Sequence, residues 1–334
     1  MVMKLRLTAL LVSAFIVSAC GGGGGGGVSA LLGGGVSTPT YNYSTIDSRY
    51  ANNTVSQFDS TGIAVAQTYN QEAQNSYISR LELGSSDLSY SIGTDAYGDT
   101  FIQIDISKYY SSTPEGLSTP NEYILNYDIS FTGNQVNTLY DAPNFLYVTK
   151  YFSNATLRMY GLNDSEAYAG TKYVDMLIWN MHYNNGYNDL VSFAFGDKTF
   201  DGDMPSSTSA TYNVKSMGFW VSNGTVLNYH GGGSLTADFQ NMTLTGEIIN
   251  DYLTGDPYSW SQIAGGSAGG IVFDGTISGS KATGTIDWGN GYGAGVFDAS
   301  FFGPKAQEIG GSYAAYADED KFDNHISGTF IGVK

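Results

Sequence analysis

The sequence predicts an all-β protein with an eight-stranded antiparallel barrel at its C-terminal end, and three observations carry that expectation. Tyrosine, at 26 residues, outnumbers Lys and Arg together, at 14, and aromatic side chains suit a pleated, half-buried surface. Glycine reaches 44 and proline only 7, the balance expected of short strands joined by tight turns. Apolar and polar residues alternate with a period of two over successive runs, as in strands with one buried face. The hydrophobic fraction of 42% is enough for a sizeable core, and 334 residues accommodate one large or two medium domains.

Residues 1–19 read as a processing signal rather than as fold. Lys4 and Arg6 give a positive start, and the apolar run Leu7 to Val17 is short for a membrane span. Val17-Ser18-Ala19-Cys20 resembles a bacterial lipobox. That resemblance implies thioether lipidation of Cys20, cleavage before it and acylation of the new amino terminus. Cys20 is the only cysteine, so an internal disulfide is excluded and another use is needed. Several acyl chains at one point anchor stably, at about 0.8 kcal/mol per buried methylene. Gly21 stands where an Asp would suggest inner-membrane retention, so the resemblance points to the outer membrane. Residues 20–40 are Gly-rich and read as a flexible tether, spanning roughly 25 Å as a coil.

Residues 41–195 read as a first β-rich domain. Tyr41 to Arg80 gives a weak signal, compatible with a short helix or an irregular segment. Strands are then expected at Asp87–Ile92, Thr100–Ile106, Glu122–Phe131, Phe145–Tyr151, Ala155–Tyr160, Tyr173–His182 and Asn188–Phe195. "FIQIDIS" sets Phe101, Gln103 and Asp105 against Ile102, Ile104 and Ile106, and "NEYILNYDISF" alternates likewise. Phe195 to Thr211, rich in Gly, Asp, Pro and Ser, marks a boundary, and residues 196–334 form the second unit.

After that boundary the runs become regular: "ATYNVKSMGFW", "SLTADFQ", "MTLTGEII", "GIVFDGTI", "KATGTIDW", "GAGVFDASFF", "GSYAAYA" and "HISGTFIGV". Eight strands suffice to close a barrel filled by its own side chains, with small residues beside large ones inside, as in Ala237 beside Phe239 and Gly328 beside Phe330. A two-sheet sandwich would read similarly. Between the sixth and seventh strands, "GPKAQEIGG" interrupts the alternation. Phe301 and Phe302 should point to opposite sides, Gly303-Pro304 should break the ladder, and a helical turn with Gln307 and Glu308 outward should cap one barrel end. A ligand contact by Glu308 is the functional alternative.

"SLTADFQNMTLTGEI", "FDGTISGSKATGTID", "GVFDASFFGPKAQEIGGSYAAY" and "ISGTFIGVK" resemble, in order, the C-terminal barrel of transferrin-binding protein B. The resemblance covers about Phe193 to Lys334. It implies that residues 41–195 correspond to the β-rich handle preceding the barrel in that family. It also implies a surface-exposed outer-membrane lipoprotein that binds a host or environmental ligand, an iron source such as haem or an iron-carrier protein, for a partner TonB-dependent receptor. One handle and one barrel make about half of the two-lobed architecture, which puts transferrin itself in doubt. An adhesive or structural surface protein without a solute ligand is the other reading.

Other signals for chemistry fail on context. A net charge of −17 without a basic patch excludes nucleic-acid binding. Gly265-Gly266-Ser267-Ala268-Gly269 matches the hydrolase pattern G-x-S-x-G, but a strand follows it where a helix is required, so no enzyme activity is expected. His182, His230 and His325 have no metal-ligand spacing, and Asp197, Asp201 and Asp203 do not fit a calcium loop, so solvated turns are expected there. No cofactor is expected, although His182 or His230 could ligate haem as a ligand. Two aromatic stretches read either as core or barrel-end packing or as ligand-binding loops, with Trp179, Tyr183 and Tyr187 in one and Tyr252, Tyr258 and Trp260 in the other.

Overall fold

The computed structural model describes residues 39–43, 45, 63–70, 75–82, 88–94, 100–112, 121–131, 136–139, 142–151, 153, 155–162, 168–184, 187–222, 225–254, 269–289, 291–317 and 324–334. The expected signal peptide, Cys20 with its expected lipidation, Ser267, Tyr258 and Trp260 lie outside the described residues. The N-terminal strands are β1 (Ile63–Asn70), β2 (Asn75–Glu82), β3 (Leu88–Thr94), β4 (Thr100–Ser112) and β5 (Asn121–Phe131). They continue with β6 (Val136–Leu139), β7 (Ala142–Tyr151), β8 (Ala155–Leu162), β9 (Val174–Tyr183) and β10 (Tyr187–Gly196). One antiparallel sheet of seven runs β2-β1-β10-β9-β8-β7-β6, and β3-β4-β5 form a second of three.

Where it is described, the weak segment before Arg80 is mainly strand, at β1 and β2. Ile63-Ala64-Val65-Ala66 is a short apolar run whose periodicity fits either state. Pairing decides it: β1 lies between β2 and β10, with Ile63 opposite both Glu82 and Ala194. The four-residue β6 carries too short a pattern to be read from sequence.

The remaining strands are β11 (Ser209–Ser222), β12 (Thr225–Asp238), β13 (Thr243–Thr254), β14 (Gly269–Ser278), β15 (Lys281–Trp288), β16 (Gly293–Phe302), β17 (Glu308–Tyr316) and β18 (Asn324–Val333). Each pairs with the next, and β11 pairs with β18 from Asn213↔Val333 to Ser222↔Asn324. The sheet is therefore a closed eight-stranded barrel, not a sandwich. β12 starts well before the expected Ser234, because Gly231 to Gly233 do not break it. A Cβ on Gly233 would lie 2.0 Å from the Glu247 carbonyl oxygen, so glycine lets β13 pair at that point.

The interior is filled by the inward half of each alternation. Phe273 sits edge-on to Phe297, Tyr313 and Phe330, with ring centroids 5.2, 5.7 and 5.5 Å apart. Each such ring fully withdrawn from water contributes about 1.5–3 kcal/mol. One polar layer crosses the core: the Tyr229 hydroxyl donates to Tyr313 Oη at 2.7 Å, and Tyr313 and Ser216 share a 2.6 Å hydrogen bond. Burial pushes the Tyr313 phenol up to about 12, while its bonds to Ser216 and Tyr229 pull it down.

The "GPKAQEI" interruption plugs one end. Phe301 faces the barrel core and Phe302 faces outward, as the alternation requires. Pro304–Ala306 form a single 3-10 turn, and buried Ala306 accepts the Tyr212 hydroxyl on its carbonyl at 2.6 Å. Lys305 and Ala306 sit at φ of 54° and 52°, a left-handed backbone that costs roughly 1–2 kcal/mol per non-glycine residue. The turn is braced from the linker before β11. The Lys305 N–H donates to Asp203 Oδ2 at 3.0 Å. Asp201 Oδ1 accepts both the N–H and the hydroxyl of Ser280, at 2.8 and 2.7 Å, and these bonds hold its carboxyl below the usual range. These aspartates, expected as solvated turn residues, thus act as braces. Residues before them join in: Tyr41 stacks on Phe200 at 5.1 Å, and the Tyr43 hydroxyl donates to Asp203 at 2.8 Å.

Glu308 corrects the expectation of a solvent-facing cap residue. It points out of the barrel but into the seven-stranded sheet, fully buried. Its carboxylate accepts the N–H groups of Lys172, Tyr173 and Val174 at 2.7, 2.8 and 3.0 Å. The next outward residues of β17 continue the joint. Ser312 donates to the Ser192 carbonyl at 3.1 Å, and a Cβ on Gly310 would come within 2.7 Å of Val174. Around them Val174, Met176, Ile178, Leu190 and Ala194 pack against Met217, Phe219, Val221, Phe302 and Ile331.

Burial pushes the Glu308 carboxyl up to about 7 from 4.5, against the pull of three N–H groups and Lys172. Since the folded value is the higher, this group's contribution is fully retained below about 4.5 and is lost as pH rises through about 7. Chemical denaturation of wild type and Glu308→Gln at pH 5 and pH 8 should show a difference in pH dependence of up to about 3 kcal/mol, with wild type favoured by acid. A flat difference between the two proteins would contradict it. Glu308→Ala, which strands one buried and two part-buried donors, should destabilise by about 2–3 kcal/mol at pH 5. Gly310→Val should cost about 2 kcal/mol or more in the same assay, because the joint has no room for the added methyls.

Candidate functional site

At the end opposite the plug, β11, β13, β15 and β17 finish and β12, β14, β16 and β18 begin. Closure brings Trp220 from the end of β11 and Trp288 from the end of β15 together, with ring centroids 6.3 Å apart and edge to face. Trp288 is buried, whereas Tyr292, in the following turn, is 48% exposed and stands edge-on to it at 5.1 Å. The turn owes its shape to Asp287, whose carboxylate accepts the Gly291 N–H at 2.7 Å. Trp220 Nε1 donates to Asn324 Oδ1 at 2.8 Å, and Asn324 Nδ2 donates to the Tyr292 hydroxyl. Trp220, Asn324, Tyr292 and Trp288 therefore form a closed circuit that presents one phenol to solvent. A tyrosine held this way offers a large contact area with little rotamer entropy left to lose.

Beside the circuit, the outer barrel wall carries a groove of about 690 Å³, lined in part by Val272, Asp274, Thr285, Asp287, Tyr292 and Tyr316. Its charged lining groups are both carboxylates.

The described residues expected to bind ligand divide between two sheets, with Trp179, His182, Tyr183 and Tyr187 on β9 and β10 and His230 and Tyr252 in the barrel. Trp179 is not a loop residue: it lies within β9, 1% exposed, edge-on to Phe193 at 5.3 Å. The alternation of β9 sends its side chain to the packed face, so it belongs to the core. Tyr183 ends β9 and Tyr187 begins β10, at the tip of that hairpin. His182 is exposed beside them, with Nδ1 2.8 Å from Asn188 Oδ1. His230 is also not in a loop. It is half-buried in β12, opposite Met217 on one side and Tyr252 on the other, where the pairing register shifts. The two histidines thus sit on different sheets. Among the described residues no group of three or more His, Cys, Asp or Glu side chains could hold a metal ion.

Sequence reasoning missed Trp220, Trp288, Tyr292 and Asn324. The available signal was positional: Trp220 closes its strand, and Trp288 directly precedes the turn Gly289-Asn290-Gly291.

Residues 204–334 match the family described as the C-lobe and N-lobe β-barrels of transferrin-binding protein B. No curated protein sequence matches the chain. Among solved structures, it is similar to a double mutant of the vaccine antigen transferrin-binding protein B from Haemophilus parasuis Hp5, at 12% identity and a TM-score of 0.43, covering 81% of this chain and 44% of that one. Isotype 1 of the same protein from serogroup B Neisseria meningitidis gives 14% identity and a TM-score of 0.40, with 81% and 43% covered. A protein described as a surface lipoprotein gives 14% and 0.39, with 82% of this chain and 98% of that one covered. The chain thus spans less than half the length of the two transferrin-binding proteins. The closed barrel and the matched residues agree in extent: residues 204–334 form a closed β-barrel similar to those of transferrin-binding protein B.

Proposed function

We propose that this chain is a lipid-anchored outer-membrane surface protein that captures an iron source, haem or an iron-carrier protein, for a partner TonB-dependent receptor. In this reading it is a binding protein and not an enzyme. Lipidated Cys20 fixes it to the membrane, residues 20–40 form the tether, and the sheets before residue 197 act as a handle.

The observation that carries the reading is the polarity of the barrel. Tyr41 and Tyr43 are clamped onto Phe200 and Asp203 at the plugged end. Tyr41 is thus held at the plugged end of the barrel, and the circuit holding Tyr292 lies at the other end. A fixed, exposed aromatic at the end away from Tyr41 suits a protein that presents that end to a partner. The family's barrel supplies the ligand class, since the matched proteins are described by their binding of transferrin. For haem, His182 offers Nε2, because Nδ1 is engaged with Asn188.

Immobilised residues 41–334 should be exposed separately to haemin and to serum. Haem capture predicts a Soret shift that disappears in His182→Ala or His230→Ala. Capture of an iron-carrier protein predicts its retention from serum, weakened about tenfold by Tyr292→Ala, the loss expected for an aromatic anchor. Retention of neither would remove the iron-source reading and leave the adhesive one.

A further inference from the structure

Strand register defines what lies on the outer wall beside Tyr292. Val272 is opposite Asp287, Asp287 opposite Ala294, and Ala294 opposite Tyr316, forming one row across β14 to β17. The next row on the same face begins with Asp274 opposite Thr285. The two carboxylates are therefore diagonal neighbours on adjacent strands, within reach of one bound group. Ala294 lies between Asp287 and Tyr316 in that row, and Tyr292 lines the same groove from the adjoining turn. Among the described residues no Lys, Arg or His lines the groove. Asp274 and Asp287 are exposed, and the Asp274 carboxylate has no hydrogen-bond or ion-pair partner among the described residues.

Two carboxylates between phenol rings, on a chain of net charge −17, complement a flat cation. We propose that this groove docks an arginine side chain carried on an extended segment of a partner protein. The guanidinium lies over Ala294 between the rings of Tyr292 and Tyr316, and its N–H fork donates to Asp274 and Asp287. Stacking and forked donation together are properties of arginine; a lysine ammonium supplies the charge without the plane. A groove of about 690 Å³ holds one such side chain and the backbone beside it. The proposal does not depend on which iron source is captured, or on whether one is.

The test is an NMR titration of the isotope-labelled full chain with the capped peptide Gly-Arg-Arg-Gly, followed at the backbone amides of Val272, Thr285 and Ala294. Saturable shifts are expected that weaken as salt is raised, with Asp274→Asn and Tyr292→Ala each reducing affinity about five-fold or more. The citrulline peptide, uncharged but of the same shape, should leave these amides unmoved, and the lysine peptide should bind more weakly than the arginine one. Equal shifts with citrulline, no shifts with arginine, or full affinity in Asp274→Asn would each overturn the proposal. The peptide titration and the haemin and serum retention assays are separate readouts, so either reading can fail without the other.

Discussion

Burying both faces of β17 and β18 is the constraint on which the architecture rests. A barrel wall ordinarily needs only its inner face apolar, and β14 and β15 follow that rule with alternating buried and exposed residues. β17 and β18 are instead covered by the barrel core on one side and the seven-stranded sheet on the other. Ile331 packs into the apolar part of that joint, whereas Gly310, Ser312 and Ala314 on one strand and Ser327 and Thr329 on the other are small. Large side chains there would hold the sheet off, and charged ones would lose water without replacement.

Glu308 breaks the second half of that rule, and the break is informative. A carboxylate at a buried joint is tolerable only where donors are fixed around it, and three consecutive backbone N–H groups supply them. Those donors run from Lys172 and Tyr173 into the first residue of β9, so one side chain specifies how the entry to that strand meets the strand following the plug. Apolar packing between Val174, Met217 and Ile331 is less particular about register than a carboxylate with three directional bonds. The plug and the joint are thereby mechanically one device, since the turn that closes the barrel end delivers Glu308 to its donors.

Much of this was written in the sequence, and what was not failed for local reasons. The barrel strands showed themselves because one face is wet, which makes alternation visible in "GIVFDGTI" and "KATGTIDW". β1 was hidden because Ile63-Ala64-Val65-Ala66 is apolar without a period, and its identity comes from partners more than a hundred residues away in β10. The glycines of β12 read as a break because the close approach of β13 that they permit is a tertiary fact. Outward placement of Glu308 was legible from the alternation, but its burial depended on a sheet that the local pattern does not reveal. The same applies to the candidate site. Trp179 and Trp220 look alike in sequence, and only closure of the barrel puts one in the core and the other beside Trp288.

The tryptophan placement has a practical corollary. Of four indoles in the chain, Trp220 and Trp288 share a single barrel mouth, in contact with each other and with the exposed Tyr292. Intrinsic emission is thus weighted toward that mouth, and energy absorbed by the phenol can pass to the indole beneath it. Whatever settles there should announce itself in the near-ultraviolet spectrum without any label attached.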